Sequence, residues 1–193
     1  MADIQATVGT ISGEGRNCLY RCIMISLSSA REGKFSIQEL RNKLAVFVEA
    51  HPDHLSVPGE MESETFEERI RLEFKMTVQQ YCIRMRRRNR PAMGGGGIEL
   101  SAVVQLYPSL AFVTFMSTAL KGTFHAIEAY GSQAVATFTA NLLWTPALTS
   151  EGTAHYSWLH SALFDPLVAP VAAPAAVLTA ALATSEEDEE EEE

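Results

Sequence analysis

The 193-residue sequence is poor in cysteine and tryptophan, with three of the first (Cys18, Cys22, Cys82) and two of the second. It also has no apolar run of the roughly 20 residues that a membrane helix needs. An odd, small cysteine count argues against a disulfide framework and for reduced thiols in an intracellular, cytoplasmic setting. The first residues, MADIQATVGTISGEG, lack the basic and apolar regions of a secretory signal, so no leader is expected. Metal ligands are equally sparse. Cys18 and Cys22 are separated by three residues and His51 and His54 by two, and no second cysteine pair completes a four-ligand zinc set. The glycine run Gly94 to Gly97 is not followed by the Gly-Lys-Ser/Thr of a phosphate-binding loop. Neither a metal nor a cofactor is expected.

What is abundant is acid, and its position matters. The net charge is −9, from 24 acidic and 15 basic residues, but Glu186 to Glu193 are all acidic. Without those eight, 16 acids face 15 bases, and the folded part is close to neutral. A hydrophobic content of 47% fits a globular domain. Residues 1–165 read as that domain, 166–184 (PLVAPVAAPAAVLTAALAT) as an Ala/Pro-rich linker, and 185–193 as an acidic disordered tail.

Within the domain, periodicity of three and four predicts a helix over Asn17 to Ser29, with Leu19, Ile23 and Leu27 apolar. Ser36 and Glu39 form a capping-box pattern that opens a second helix through Leu40, Leu44, Phe47 and Val48. Glu64 to Met85 reads as one long helix and Ile98 to Leu106 as a short one. Leu110 to Met116, His125 to Tyr130, Ala134 to Thr139 and His155 to Leu159 read as strands. Helices first and strands later predict an α+β domain.

The most informative stretch is Gly13 to Ile23, GEGRNCLYRCI. A glycine-rich turn delivers Cys18 to the first turn of a helix, where free N–H groups and the helix dipole stabilise a thiolate. The same turn offers the backbone N–H groups of Gly15, Arg16 and Cys18 to a developing oxyanion. His155, far downstream between predicted strand residues, is a candidate base; cysteine early and histidine late is the chain order of many thiol hydrolases. On spacing alone, a small buried cysteine and a half-buried structural histidine are the better account of the two residues.

Asn17-Cys18-Leu19-Tyr20-Arg21 resembles the nucleophile motif D-G-N-C-L-[FY]-R of the ovarian tumour (OTU) family of cysteine proteases. Further segments follow in the family's order. Glu39-Leu40-Arg41 with Val48 resembles its second helix. Tyr81, Arg84, Met85, Met93-Gly94-Gly95 and Glu99-Leu100 resemble its Y-x-x-x-M … W-G-G-x-x-E-L stretch. Phe112 to Phe115 resembles the next strand, and His155-Tyr156 the terminal H-Y. The resemblance implies a papain-like, OTU-type α+β fold, a small mixed sheet packed by helices. It implies a thiol protease that cleaves ubiquitin or a ubiquitin-like modifier from conjugates. Cys18 would be the nucleophile, His155 the base, and Gly15, Arg16 and Cys18 the oxyanion hole. Gly94, Gly95 and Tyr156 would line the channel for the modifier's tail.

Two positions depart from the pattern. Gly15 stands where the family has Asp, with Glu14 one place earlier, and Ser157 stands where Asp or Asn follows the histidine. Loss of an orienting carboxylate can cost about 10⁴ in rate. Ser157 is a candidate orienter through its hydroxyl, with Asp3, Glu14 and Asn17 as others. A catalytically impaired domain that binds ubiquitin or another protein is the alternative reading. Arg84 to Arg90 holds five arginines in seven positions. It reads as a solvated face at a helix end, with an acidic partner (the chain's own tail included) as the rival. No interleaved aromatics support nucleic acid. Cys22, one turn after Cys18, reads as core, and Cys82 has no neighbouring base in the sequence.

Overall fold

The computed structural model describes residues 3–9, 11, 17–55, 64–87, 95–146 and 155–160. Gly15, Arg16, Glu14, Gly94, Arg88, Arg90, the linker and the acidic tail lie outside the described residues. The elements run β1 (Asp3–Gln5), β2 (Thr7–Gly9), α1 (Cys18–Ser29), α2 (Ile37–Ala50), α3 (Phe66–Phe74), α4 (Val78–Arg86), α5 (Gly97–Leu106), β3 (Leu110–Ser117), β4 (Thr123–Tyr130), β5 (Phe138–Thr145) and β6 (His155–His160). This is an α+β domain with helices against a mixed sheet, as the sequence predicts.

The first helix buries Leu19, Ile23 and Leu27 together with Cys22 and Ser26. α2 opens on the expected capping box: Glu39 N–H donates to Ser36 Oγ (3.2 Å), and Ser36 N–H donates to Glu39 Oε2 (2.7 Å). Its buried stripe is Leu40, Arg41, Leu44, Ala45 and Val48. The single helix expected over Glu64 to Met85 is in fact two. Lys75 ends α3 in the left-handed conformation (φ 54°), and Thr77 starts α4 with its own capping box through Gln80. Thr65 and Glu68 cap α3 in the same way. Two S/T-x-x-E/Q boxes twelve residues apart are two helix starts, and they override a continuous apolar period. Phe66, Ile70, Tyr81, Cys82 and Met85 are still buried.

The central ladder is β4-β3-β5-β6, with β3 and β5 parallel and the other pairs antiparallel. The strand expected at Ala134 to Thr139 begins later, at Phe138, and runs on to Thr145. Gly131 (φ 78°) and the Ser132 carbonyl, which accepts from the N–H groups of Val135 and Ala136, turn the preceding residues instead. Parallel pairing to β3, from Leu110↔Phe138 to Phe115↔Leu143, then takes up Asn141 to Leu143.

β1 and β2 have no counterpart in the sequence reading. β1 pairs with β4 (Gln5↔Thr123) and β2 with β6 (Thr7↔His160), the two outer strands of the central ladder. Only Ala6 separates them. One residue cannot span a flat sheet whose strands lie about 4.8 Å apart. The ladder therefore curls until the start of β4 and the end of β6 meet across the N-terminal strand. Inside the curl lies a small second core of Val113, Phe115, Phe124, Ala126, Leu143 and Leu159, against which Ala6 packs. The larger core lies between the helices and the other face of the sheet, and Tyr156 and Trp158 face it from β6.

Candidate active site

Cys18 is the first residue of α1, with Asn17 as N-cap and no acidic side chain in the first turn. It is 5% exposed. The Asn17 carbonyl accepts the first helical bond, from Arg21 N–H at 2.9 Å. The amides ahead of it therefore find no partner within the helix, as at any helix start. Packing of α1 on β6 brings the backbone N–H of Tyr156 to 3.4 Å from Cys18 Sγ. Cysteine and strand β6, 138 residues apart in sequence, thus meet at the residue next to His155.

His155 begins β6 and is half-buried, opposite Thr145 of β5. Strand alternation puts Ser157 and Leu159 on its face of the sheet; Ser157 is buried. No hydrogen bond joins His155 to Ser157. Of the other orienters considered, Asp3 pairs in the ladder with His125 of β4, and the Asn17 carboxamide oxygen is held by Arg41. Tyr156 is buried, and burial, with the Glu99 carboxylate next in size, pushes its phenol up.

A buried polar chain backs the nucleophile's turn. Arg41 of α2 donates from Nη2 to Asn17 Oδ1 (2.8 Å) and from Nη1 to the Met85 carbonyl (2.9 Å). Its guanidinium lies 3.9 Å from the centre of the Tyr20 ring. The Tyr20 hydroxyl donates to Glu99 Oε1 (3.3 Å), which also accepts from Tyr81 (3.0 Å). Glu99 Oε2 accepts from Gly96 N–H (2.7 Å). Burial raises the Glu99 carboxyl above its ordinary range, with these donors pulling the other way. Both tyrosines are raised well above 10, first by burial and then by the adjoining carboxylate. The glycine segment thereby hangs on the same chain as Tyr20. Gly95 packs so closely on Leu19 that an added Cβ would sit 2.7 Å from Leu19 Cδ2. At Gly97 an added Cβ would meet the Tyr130 hydroxyl at 2.7 Å and Arg69 Nη2 at 2.8 Å. Arg69 is held by Glu73 (2.7 Å) and lies 3.7 Å from Glu128, which accepts from the Tyr130 hydroxyl.

In the sequence, Arg41 and Glu99 stand out only as matches to the family pattern, with no role attached. A signal was present. Arg41 stands on the stripe Arg41, Leu44, Ala45, Val48, and Glu99 inside Ile98 to Val104, where Ser101 is the only other polar residue. A charge on a buried stripe needs a partner, and each has one or more.

The other residues singled out in the sequence lie away from this chain. Cys22 and Cys82 are fully buried, and burial pushes each thiol up to about 12. Arg86 forms a two-pronged ion pair with Glu49, one contact being 2.7 Å; Arg84 and Arg87 are exposed. Among the described residues no group of three His, Cys, Asp or Glu side chains is placed to hold a metal ion.

Neither protein-family models nor curated protein sequences give a match to this sequence. Solved structures do. The viral OTU domain protease from Dera Ghazi Khan virus superposes with a TM-score of 0.51 at 14% identity, over 83% of this chain and 87% of that one. An OTU deubiquitinase from Wolbachia pipientis wMel superposes with a TM-score of 0.50 at 14% identity, over 83% and 91%. At that identity the likeness speaks for architecture: the chain has the fold of the OTU deubiquitinase domains.

Proposed function

We propose that this chain is a thiol isopeptidase that removes ubiquitin, or a modifier built like it, from conjugates. The observation that carries the reading is the meeting of Cys18, at the start of α1, with β6 at the residue after His155. One fold neighbour is a deubiquitinase, which supports the substrate class. Three free cysteines suit a reducing, cytoplasmic setting.

In this reading the ring of His155, the first residue of β6, turns about the strand end to Cys18 Sγ, which attacks the isopeptide carbonyl carbon as its proton passes to His155. The carbonyl oxygen takes up negative charge, which first-turn N–H groups of α1 and the preceding turn stabilise. The C–N bond breaks as His155 returns the proton to the leaving lysine amine. Water, deprotonated by His155, then hydrolyses the thioester and frees Cys18. The Gly95 to Gly97 segment, with little side chain of its own, gives the modifier's C-terminal tail a flat approach.

Ubiquitin bearing a C-terminal propargylamide tests this. Covalent labelling of the full chain that disappears in Cys18→Ser and His155→Ala is the expected result. A folded wild-type chain that does not label overturns it. One observation favours a second reading, a binding module without turnover: among the described residues no side chain holds the His155 ring by a hydrogen bond. Ubiquitin binding by calorimetry without labelling would select that reading.

A further inference from the structure

Arg41 is fully buried, its Nε has no partner, and no carboxylate among the described residues pairs with it. Taking such a cation out of water costs more than a good apolar side chain of the same volume would. The cost coincides with one local effect. Asparagine is among the strongest N-cap residues, its side-chain oxygen accepting from the second or third helical N–H. Asn17 is the N-cap of α1, yet its side chain makes no capping bond. Its Oδ1 is turned to Arg41 Nη2 instead.

We infer that Arg41 is a positioning residue, which holds the Asn17 oxygen off the start of α1 so that the Leu19 and Tyr20 N–H groups stay open to developing negative charge beside Cys18. The same guanidinium lies on the Tyr20 ring, and Tyr20 reaches Glu99, which in turn holds Gly96 N–H. The nucleophile's turn and the glycine segment are thereby set against each other by one connected group of buried polar side chains. This inference rests on the thiol-hydrolase reading of Cys18.

The test uses Asn17→Ser, which keeps a capping hydroxyl but is too short to reach Arg41. On ubiquitin bearing a C-terminal aminomethylcoumarin, kcat is expected to fall by about tenfold or more with KM unchanged. Amide hydrogen exchange at Leu19 and Tyr20 is expected to slow by a similar factor as the new cap forms. Arg41→Met, which frees Asn17 to cap, should give the same two changes, and the double variant should lose no more than either single one. Wild-type kcat in Asn17→Ser overturns the inference. Exchange needs no substrate. If the wild-type chain ignores ubiquitin, the proposed function fails; slower exchange in the two variants still supports the clamp, and unchanged exchange overturns it.

Discussion

The backbone N–H of Tyr156 donates to the sulfur of Cys18 at 3.4 Å, joining the first turn of α1 to the start of β6. Being a main-chain donor, it survives any substitution at 156 except proline. It also fixes the height of α1 against the strand that carries His155.

Reactivity of the three thiols should separate cleanly. Iodoacetamide on the native chain is expected to modify Cys18 alone, since Cys22 and Cys82 are fully buried and held up to about 12. All three should react after denaturation. Peptide mass analysis reads this directly, and native modification of Cys22 or Cys82 would contradict the packing of α1 and α4.

Neighbouring glycines should differ sharply in tolerance. Gly95→Ala drives a methyl against Leu19, whose Cβ and Cγ are 3.3 Å away and which is itself fully buried. A cost of roughly 1–3 kcal/mol is expected, as for overpacking generally. Gly96→Ala meets nothing within 4 Å and should cost much less. Urea denaturation of the two variants checks the contrast.

Acid should act on the capping boxes and on Glu99 in opposite directions. Hydrogen bonds from Ser36 and Thr65 hold Glu39 and Glu68 below the ordinary carboxylate range. Their stabilisation is present above the unfolded value of about 4.3 and is lost as pH falls through the lowered values. Glu39→Gln/Glu68→Gln should therefore flatten the loss of Tm between roughly pH 5 and 3. Glu99 is raised, so its contribution is complete below the unfolded value and is lost as pH rises through the raised one. Relative to wild type, Glu99→Gln should gain Tm from about pH 4 upwards. Parallel Tm–pH curves for wild type and variants would refute both statements.

Ala6 should be far more sensitive than its neighbour Val8. Ala6 packs on the second core, and a carboxylate there has no partner to replace water. Ala6→Asp is expected to cost about 2 kcal/mol or more, whereas Val8→Lys, at a position 49% exposed, should stay within about 0.5 kcal/mol. Thermal melts of the two variants decide it.

Local signals carried most of the fold. The Ser36–Glu39 box marked α2, and the apolar stripes marked α1 and the buried faces of α3 and α4. Where two local signals competed, as at Lys75 and Thr77, apolar period concealed a helix break that the second capping box already announced. The pairings of β1 and β2 were not legible, because three-residue strands have no periodicity and their partners lie more than a hundred residues away. At the site, chain order alone left Cys18 and His155 ambiguous, and the N-C-L-Y-R and H-Y motifs singled them out. Arg41 and Glu99 did not, since each looks like an ordinary helix charge until the stripe on which it lies is known to face inward.

The N-terminal strand, with Ala6 between its halves, sets an order of events. Residues 3–9 are made before the other described residues, yet their ladder partners, Thr123 to His125 and Trp158 to His160, come much later, those of β6 last of all. Closure of the sheet therefore waits for nearly the whole domain. Long-range pairing of this kind is slow, and the waiting edges are open to other chains. Dilution and low temperature during expression should raise the yield of folded protein more than any repair to a helix.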